Sequence, residues 1–463
     1  MSDHGIHFNI SERKILLRIF DIVFTLTFLY LLSTFFDFDY FTITKENWTW
    51  VFVLVIYLLI FGTVFELYDL QKSSKIYKVI PSIILTVSVT VLFYFLTPVF
   101  TPFLPDNRLQ ILFFYFAILL AIFIWRWSYI TFIASPRFYK NVLIVGETSN
   151  MEYIINVFKD SDPHYKIVGF INCERNKKDK VKLKGIIEYN PKQIYQIIKD
   201  ENIAEIVIAT YNSENITSEI YQDLITLLEG GFPIKEYTQV YEELTQRVPV
   251  QFVGKDFYKY FPFSRSNQNK MYLLFNHFID LLISVSGILT GCLLLPFIVL
   301  GNLIANRGPL FYIQERIGSN GTLFKIIKFR TMVKNAEKNG AVWAKKGDAR
   351  ITPFGKFLRN SRLDEMPQFL NILKGEMSLI GPRPERPYFV RELSQTLPFY
   401  ETRHIIKPGL TGWAQVNTRY GSSSSDSLIK LQYDLYYIKH RSFFLDINIL
   451  IRTLSTIIFY RGQ

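Results

Sequence analysis

The chain has 463 residues, of which 49% are hydrophobic, 16% aromatic (Phe alone numbers 42) and only 20% charged. A wholly soluble protein usually carries more charge and less Phe, so part of this chain is expected to meet lipid. A formal net charge of +12 points to anionic partners, which could be lipid head groups, phosphorylated metabolites or nucleic acid, while two distant cysteines, Cys173 and Cys292, exclude a disulfide framework or a Cys/His zinc site and suit a reducing compartment.

At this length the chain has room for two or three domains. Four apolar runs fill its first third: Ile15–Phe36, Trp48–Asp69, Val79–Phe100 and Leu109–Ile133. Each is about long enough to cross a bilayer. The first has no small-residue cleavage site and is followed by others like it, so no cleavable signal peptide is expected. Basic residues flank alternate ends: Arg13, Lys14 and Arg18 before the first run, Lys72, Lys75 and Lys78 after the second, Arg137 and Lys140 after the fourth. The other two connections are acidic or nearly neutral. This asymmetry turns both ends of the bundle toward the cytoplasm. Residues 1–136 are therefore expected to form four transmembrane helices.

Residues 137–262 change character. "NVLIVGE", "YKIVGFI" and "AEIVIAT" read as buried parallel strands, and "PKQIYQIIKDEN" and "SEIYQDLITLLEGG" as the helices between them. The alternation implies a doubly wound, Rossmann-like α/β domain. Its first turn keeps Gly146 but lacks the later glycines of the dinucleotide fingerprint, which favours a structural or regulatory domain over nucleotide binding.

A third domain, 263–463, opens with a fifth apolar run at about 275–304. Lys270 precedes it, and Arg307, Arg316, Lys325, Lys328 and Arg330 follow. Charge on both sides, with Pro296 inside, favours a re-entrant helix that bends at the proline and returns to the side it entered from. The rest is polar, basic and rich in helices. The final stretch, "FFLDINILIRTLSTIIFY", fits either an interfacial helix or an ordinary packed one.

The chemistry concentrates in "RNSRLDEMPQFLNILKGEMSLIGPRPERP". "LDEMPQFLNILKG" reads as a helix with Leu363, Met366, Phe369, Leu370 and Leu373 on its apolar face and Ser361 as its cap. Asp364 and Glu365 in a first turn would ordinarily just complement the helix dipole. Here Arg359, Arg362, Arg383 and Arg386 surround them in sequence, and Pro382, Pro384 and Pro387 stiffen the segment that carries Arg383. Arginines grip phosphate oxygens, and paired carboxylates can divide metal binding from nucleophilic attack.

The motifs "FYIQERIG", "FKIIKFRTM", "ITPFGKFLRNSRLDEMPQFLNILKGEMSLIGPRP", "KPGLTGWAQVNTRYG" and "LQYDLYYIKH" occur in the order seen in the bacterial sugar transferases, the monotopic phosphoglycosyl transferases. The resemblance covers about Lys270 to the C-terminus. With four leading helices and an α/β domain, the chain looks like the long polyprenyl-phosphate hexose-1-phosphate transferases of capsule, O-antigen and exopolysaccharide assembly. The resemblance implies a reaction of a UDP-sugar with polyprenyl (undecaprenyl) phosphate that releases UMP. It implies Asp364 as a nucleophile forming a covalent phosphosugar, Glu365 as its partner, Mg²⁺ on the two acids, and Arg359 and Arg383 near the phosphates. It places the enzyme in the bacterial inner membrane with the α/β and catalytic domains in the cytoplasm, in contact with membrane lipid and not with nucleic acid, and it leaves room for a homodimer. One departure stands out. The family often bends its re-entrant helix at Ser-Pro, whereas Leu295 precedes Pro296 here. A nucleotide-sugar dehydratase or epimerase would need the missing glycines and a Tyr-x-x-x-Lys pair, and a non-catalytic scaffold would not need the acids or the arginines.

Overall fold

The computed structural model describes residues 10–36, 38–134, 139–147, 151–162, 164–173, 186–210, 216–252, 269–334, 336, 348–418 and 424–458. Arg137, residues 148–150 in the first α/β turn and the 419–421 end of the glycine-rich motif lie outside them. The chain divides into two compact units, Met1–Thr245 and Gln246–Gln463.

In the first unit, helices at Ile10–Phe35, Ile76–Phe95 and Leu109–Ile133 are long and apolar enough to cross a membrane. The second apolar run forms a shorter helix than its composition suggests. Helix Trp48–Val64 has 17 residues. Glu66 then takes a φ of +58°, and the Leu67 amide donates to the Gly62 carbonyl. Asp69 instead caps a separate short helix by accepting the Lys72 amide. At 1.5 Å per residue the run rises about 26 Å, slightly under the hydrocarbon thickness. Deep in the bundle the fully buried Asp21 and Arg126 pair at 2.6 Å.

The same unit holds five strands: β1 (Lys140–Gly146), β2 (Tyr165–Asn172), β3 (Ile187–Tyr189), β4 (Glu205–Ala209) and β5 (Ile234–Glu236). All neighbours are parallel, in the order β3-β2-β1-β4-β5. Leu143, Val145, Ile171 and Ile206 pack on Ile194, Ile220 and Leu224. The alternate residues Val142, Ile144, Phe170 and Val207 are buried as well. Strands buried on both faces explain the near-continuous apolar runs in the sequence.

The second unit begins with residues 246–252. Val248 and Val250 enter its core, and the Trp413 indole donates to the Gln246 carbonyl at 3.3 Å. Helix Lys270–Gly301 runs on through a π-helical turn to Asn306. Pro296 lies within this helix and does not end it, contrary to the break expected there. An internal proline costs about 3 kcal/mol of helix stability. Packing of Leu294, Leu295 and Ile298 against Phe329, Leu358 and Phe354 opposes that cost on both sides of the ring. Cys292 and Leu293, in the preceding turn, are exposed.

One face of this helix is buried at Asp280, Ser284, Ile298 and Asn302. Gly287 and Gly301 lie on the same side. A Cβ at Gly287 would come within 2.4 Å of Phe369, and one at Gly301 within 2.3 Å of Phe354, so only glycine allows the approach. The other face exposes Leu274, Phe278, Leu289, Leu293, Phe297 and Leu300. Beside it, β6 (Phe311–Ile317) and β7 (Leu323–Phe329) form an antiparallel hairpin, and β8 (Ser378–Ile380) and β9 (Gly409–Thr411) a short parallel pair. The last helix, Phe443–Ile458, packs through Asp446 and Ile449, which are buried, and exposes Phe443, Phe444 and Leu454.

Candidate active site

Helix Pro353–Asn360 starts at Thr352, whose hydroxyl accepts the Gly355 amide at 2.9 Å. Its last turn presents Arg359, whose Nε donates to Thr331 Oγ1 at 2.8 Å. The chain then reverses at Arg362, with a φ of +58°, and enters a 3₁₀ turn at Leu363–Glu365 before helix Gln368–Leu373. The continuous helix expected from Leu363 does not form, and Ser361 does not cap it. The Ser361 hydroxyl donates backward to the Phe357 carbonyl at 2.9 Å. The left-handed Arg362 turns the chain, and Pro367, which has no amide hydrogen, ends one turn and starts the next.

This break changes which residues face inward. Leu363 and Met366 pack against Leu294, Leu295 and Ile298 of the long helix. Leu370 and Leu373 are exposed, while Gln368, Asn371 and Ile372 are buried. Asn371 fastens this helix to the hairpin: its Nδ2 donates to the Lys325 carbonyl at 2.8 Å, and its Oδ1 accepts the Ile327 amide at 3.2 Å. Gln368 is buried, one turn past the acids, with no partner for its side-chain nitrogen among the described residues.

Successive side chains in a 3₁₀ turn diverge by about 120°, so the two acids meet different surroundings. Lys328 Nζ donates to Glu365 Oε1 at 2.8 Å. Arg383 Nη2 lies 3.6 Å from the same oxygen and Arg362 Nη1 lies 3.7 Å from Oε2. Burial would raise the Glu365 carboxyl, but Lys328, Arg383 and Arg362 override it and hold the group well below the usual carboxylate range. Asp364 is only 8% exposed. Among the described residues, no hydrogen bond or ion pair within 4 Å reaches its carboxylate. Burial, reinforced by the neighbouring Glu365, pushes Asp364 up to about 6 against the pull of Lys328, Arg359 and Arg362.

Arg359, Arg362 and Arg383 thus gather around the acids, as their spacing suggested. Arg386 stands at the start of helix Pro387–Thr396 with its guanidinium over the Phe389 ring, 5.8 Å from the centroid. Lys328 is the contributor that motif reading passes over. It lies on the same side of β7 as the buried Phe324 and Ile326, and a lysine interrupting an inward apolar alternation was the available signal. Among the described residues no group of three or more His, Cys, Asp or Glu side chains gathers for a metal. Mg²⁺ takes one or two protein carboxylates and completes its shell with water and substrate phosphates, so Asp364, and Glu365 only in exchange for part of its cation contacts, would be its ligands here.

The family model described as "Bacterial sugar transferase" matches residues 271–460. A UDP-N-acetylgalactosamine-undecaprenyl-phosphate N-acetylgalactosaminephosphotransferase of Aeromonas hydrophila is 38% identical over 253 residues, covering 54% of this chain and 58% of that protein. A UDP-glucose:undecaprenyl-phosphate glucose-1-phosphate transferase of Xanthomonas campestris pv. campestris is 40% identical over 177 residues, or 38% of this chain and 37% of that one. A putative undecaprenyl-phosphate N-acetylgalactosaminyl 1-phosphate transferase of Bacillus subtilis (strain 168) is 41% identical over 144 residues, which are 30% of this chain but 79% of that protein. The chain belongs to the bacterial sugar transferase family.

Proposed function

We propose that this protein transfers a sugar 1-phosphate from a UDP-sugar to polyprenyl phosphate and releases UMP, the first membrane step of building a surface polysaccharide. The carrying observation is the asymmetry of the acids: Glu365 is neutralised by three cations while the buried Asp364 carboxylate has no partner among the described residues. A nucleophile has to be free to attack, and its partner can hold charge in place. In this reading an Asp364 oxygen attacks the sugar-bearing phosphorus of the donor. The bond from that phosphorus to the UMP oxygen breaks, and UMP leaves with the electron pair. A phosphate oxygen of polyprenyl phosphate then attacks the acyl phosphate, which frees Asp364 and forms the polyprenyl diphosphate sugar.

A carboxyl pushed up to about 6 is mostly ionised at neutral pH and keeps its basicity, which suits this role. Arg359, Arg362, Arg383 and Arg386 take the phosphate charge, and the Gln368 nitrogen, without a partner among the described residues, offers a further donor. Asp364 and Glu365 would hold Mg²⁺, which when bound offsets the negative charge of the diphosphate. The relatives' names support the reaction class and differ in the sugar, N-acetylgalactosamine in one and glucose in another.

We further read the N-terminal helices as a bundle in the bacterial inner membrane, the parallel sheet as a Rossmann-like cytoplasmic domain, and Lys270–Asn306 as a helix that enters the membrane and does not cross it. By length and apolar composition this helix could also cross; the non-crossing reading is supported by basic residues on both flanks, Lys270 before it and Arg307 and Arg316 after it, and by the stripe Asp280, Ser284, Ile298 and Asn302 that packs on its own unit. Single cysteines at Asn269 and Asn320 in a cysteine-free variant test it. Neither should react with an impermeant thiol reagent on intact cells, and labelling at position 320 alone would mean a true crossing. For the reaction, the purified chain with undecaprenyl phosphate and a panel of UDP-sugars should release UMP from at least one donor only when the lipid is present. No release from any donor would refute the reading.

A further inference from the structure

The segment that carries Arg383 is held more completely than two prolines require. Its four consecutive carbonyls, from Pro382 to Glu385, each accept a hydrogen bond, two of them from adjacent residues of β6 and the others from Gly409 and Arg403. Gly409 N–H donates to Pro382 at 2.9 Å and Ile317 N–H to Glu385 at 3.0 Å. Between them, Arg403 Nη2 donates to the Arg383 carbonyl at 3.0 Å and Arg316 Nη1 to the Pro384 carbonyl at 3.1 Å. Arg403 is 4% exposed. The same Nη2 donates to Asp434 Oδ2 at 2.7 Å, and Nη1 donates to Tyr400 Oη at 2.8 Å. Asp434 is also buried, at 2%. A buried ion pair contributes little net stability, since desolvation offsets much of its attraction. Its retention here calls for another reason, and the Arg383 carbonyl supplies one.

We propose that Arg403, anchored by Asp434, is a positioning residue for Arg383: it fixes the backbone from which Arg383 reaches Glu365 and the donor phosphates. This rests on the reading above, in which Arg383 grips the donor. A phosphate-binding group must be held to within a fraction of an ångström to serve a transition state, and such precision comes from the residues behind it. Arg403 touches neither acid in this arrangement. It acts through one carbonyl, and its planar fork reaches that carbonyl and a carboxylate from one nitrogen and a phenol from another, a fixed spacing that the single nitrogen of a lysine does not reproduce.

The test is steady-state kinetics of UMP release by the full-length chain, with UDP-glucose or UDP-N-acetylgalactosamine as donor and undecaprenyl phosphate as acceptor. Three single variants, Arg383→Ala, Arg403→Lys and Asp434→Asn, and the Arg383→Ala/Arg403→Lys double variant are compared, each checked for its melting temperature. Arg403→Lys keeps the charge opposite Asp434 but loses the bridge, so the donor KM should rise about tenfold while the acceptor KM stays within about twofold. Asp434→Asn should move the donor KM in the same direction by about threefold, and it decides the matter if Arg403→Lys fails to fold. The double variant should be no worse than Arg383→Ala alone. An unchanged donor KM in a folded Arg403→Lys or Asp434→Asn, or effects that multiply with Arg383→Ala, would overturn the proposal. If Arg383→Ala itself leaves the donor KM unchanged, the fault lies in the phosphate-binding reading, and Arg403 loses the role assigned to it.

Discussion

Buried charge in the N-terminal unit and buried charge around the 3₁₀ turn of the C-terminal unit are arranged in opposite ways. In the N-terminal unit charges are matched locally: Asp21 with Arg126 inside the bundle, Arg13 with Asp162, and Glu205 with Lys140 and Lys235. In the C-terminal unit the charges around the 3₁₀ turn are uneven. Three cations converge on Glu365, and the Asp364 carboxylate beside it is left unpaired among the described residues. A chain selected only for stability has no use for that imbalance. A matched pair leaves no buried charge uncompensated, whereas an unmatched buried carboxylate among arginines suits the anion binding and attack proposed for Asp364.

The contrast is broken most severely at Asp364. Asp364→Asn preserves size and removes the nucleophile, so turnover should fall by about four orders of magnitude or more, measured as UMP release. The same change should stabilise the protein. Burial raises the Asp364 pKa to about 6, so the folded state bears a cost once the group ionises, above that pH, and the cost fades as the pH falls toward the unfolded value. The Asn variant should therefore be more stable by on the order of 2 kcal/mol at pH 8 and by almost nothing near pH 4, read from denaturation in detergent. A matched pair should behave in reverse. Arg126→Leu leaves Asp21 buried without its partner and should cost about 3–5 kcal/mol, while turnover per folded molecule stays near normal.

Lys328→Met tests the cation nearest Glu365. Losing it should lower kcat by about a hundredfold with folding intact, since a charged hydrogen bond at a reacting centre is worth about 2–4 kcal/mol. The acid limb of kcat/KM is a smaller effect. It should fall with an apparent pKa near 6 as Asp364 takes up a proton, leaving about a tenth of the plateau at pH 5. A limb near 4 would mean that the attacking group is not the raised carboxyl.

Local chemistry was legible in the sequence, and geometry set by distant residues was not. Asp364, Glu365, Arg359, Arg362 and Arg383 lie within one short stretch and were recognisable as a charge cluster. Lys328 reaches Glu365 across 37 positions of sequence, through a hairpin whose docking depends on Asn371. The parallel sheet could be read from its apolar runs because strands buried on both faces leave an unbroken signature. The start of the helix that follows the two acids could not. Ser361 has the right identity for a cap, but the left-handed Arg362 breaks the helix, and Arg362 also lies 3.7 Å from Glu365. Pro296 was expected to break its helix from local preference, and the packing of Leu294, Leu295 and Ile298 around it accounts for the outcome.

The central claim is that the unmatched carboxylate is the nucleophile, and it can be tested without turnover. The wild-type chain is incubated with a UDP-sugar and Mg²⁺ but no lipid acceptor, quenched near neutral pH and digested for peptide mass spectrometry. The account expects a sugar-phosphate mass on the peptide that contains Asp364, labile to acid, absent from Asp364→Asn and discharged when undecaprenyl phosphate is added before the quench. The same adduct on another residue, or its persistence in the Asn variant, would contradict the account.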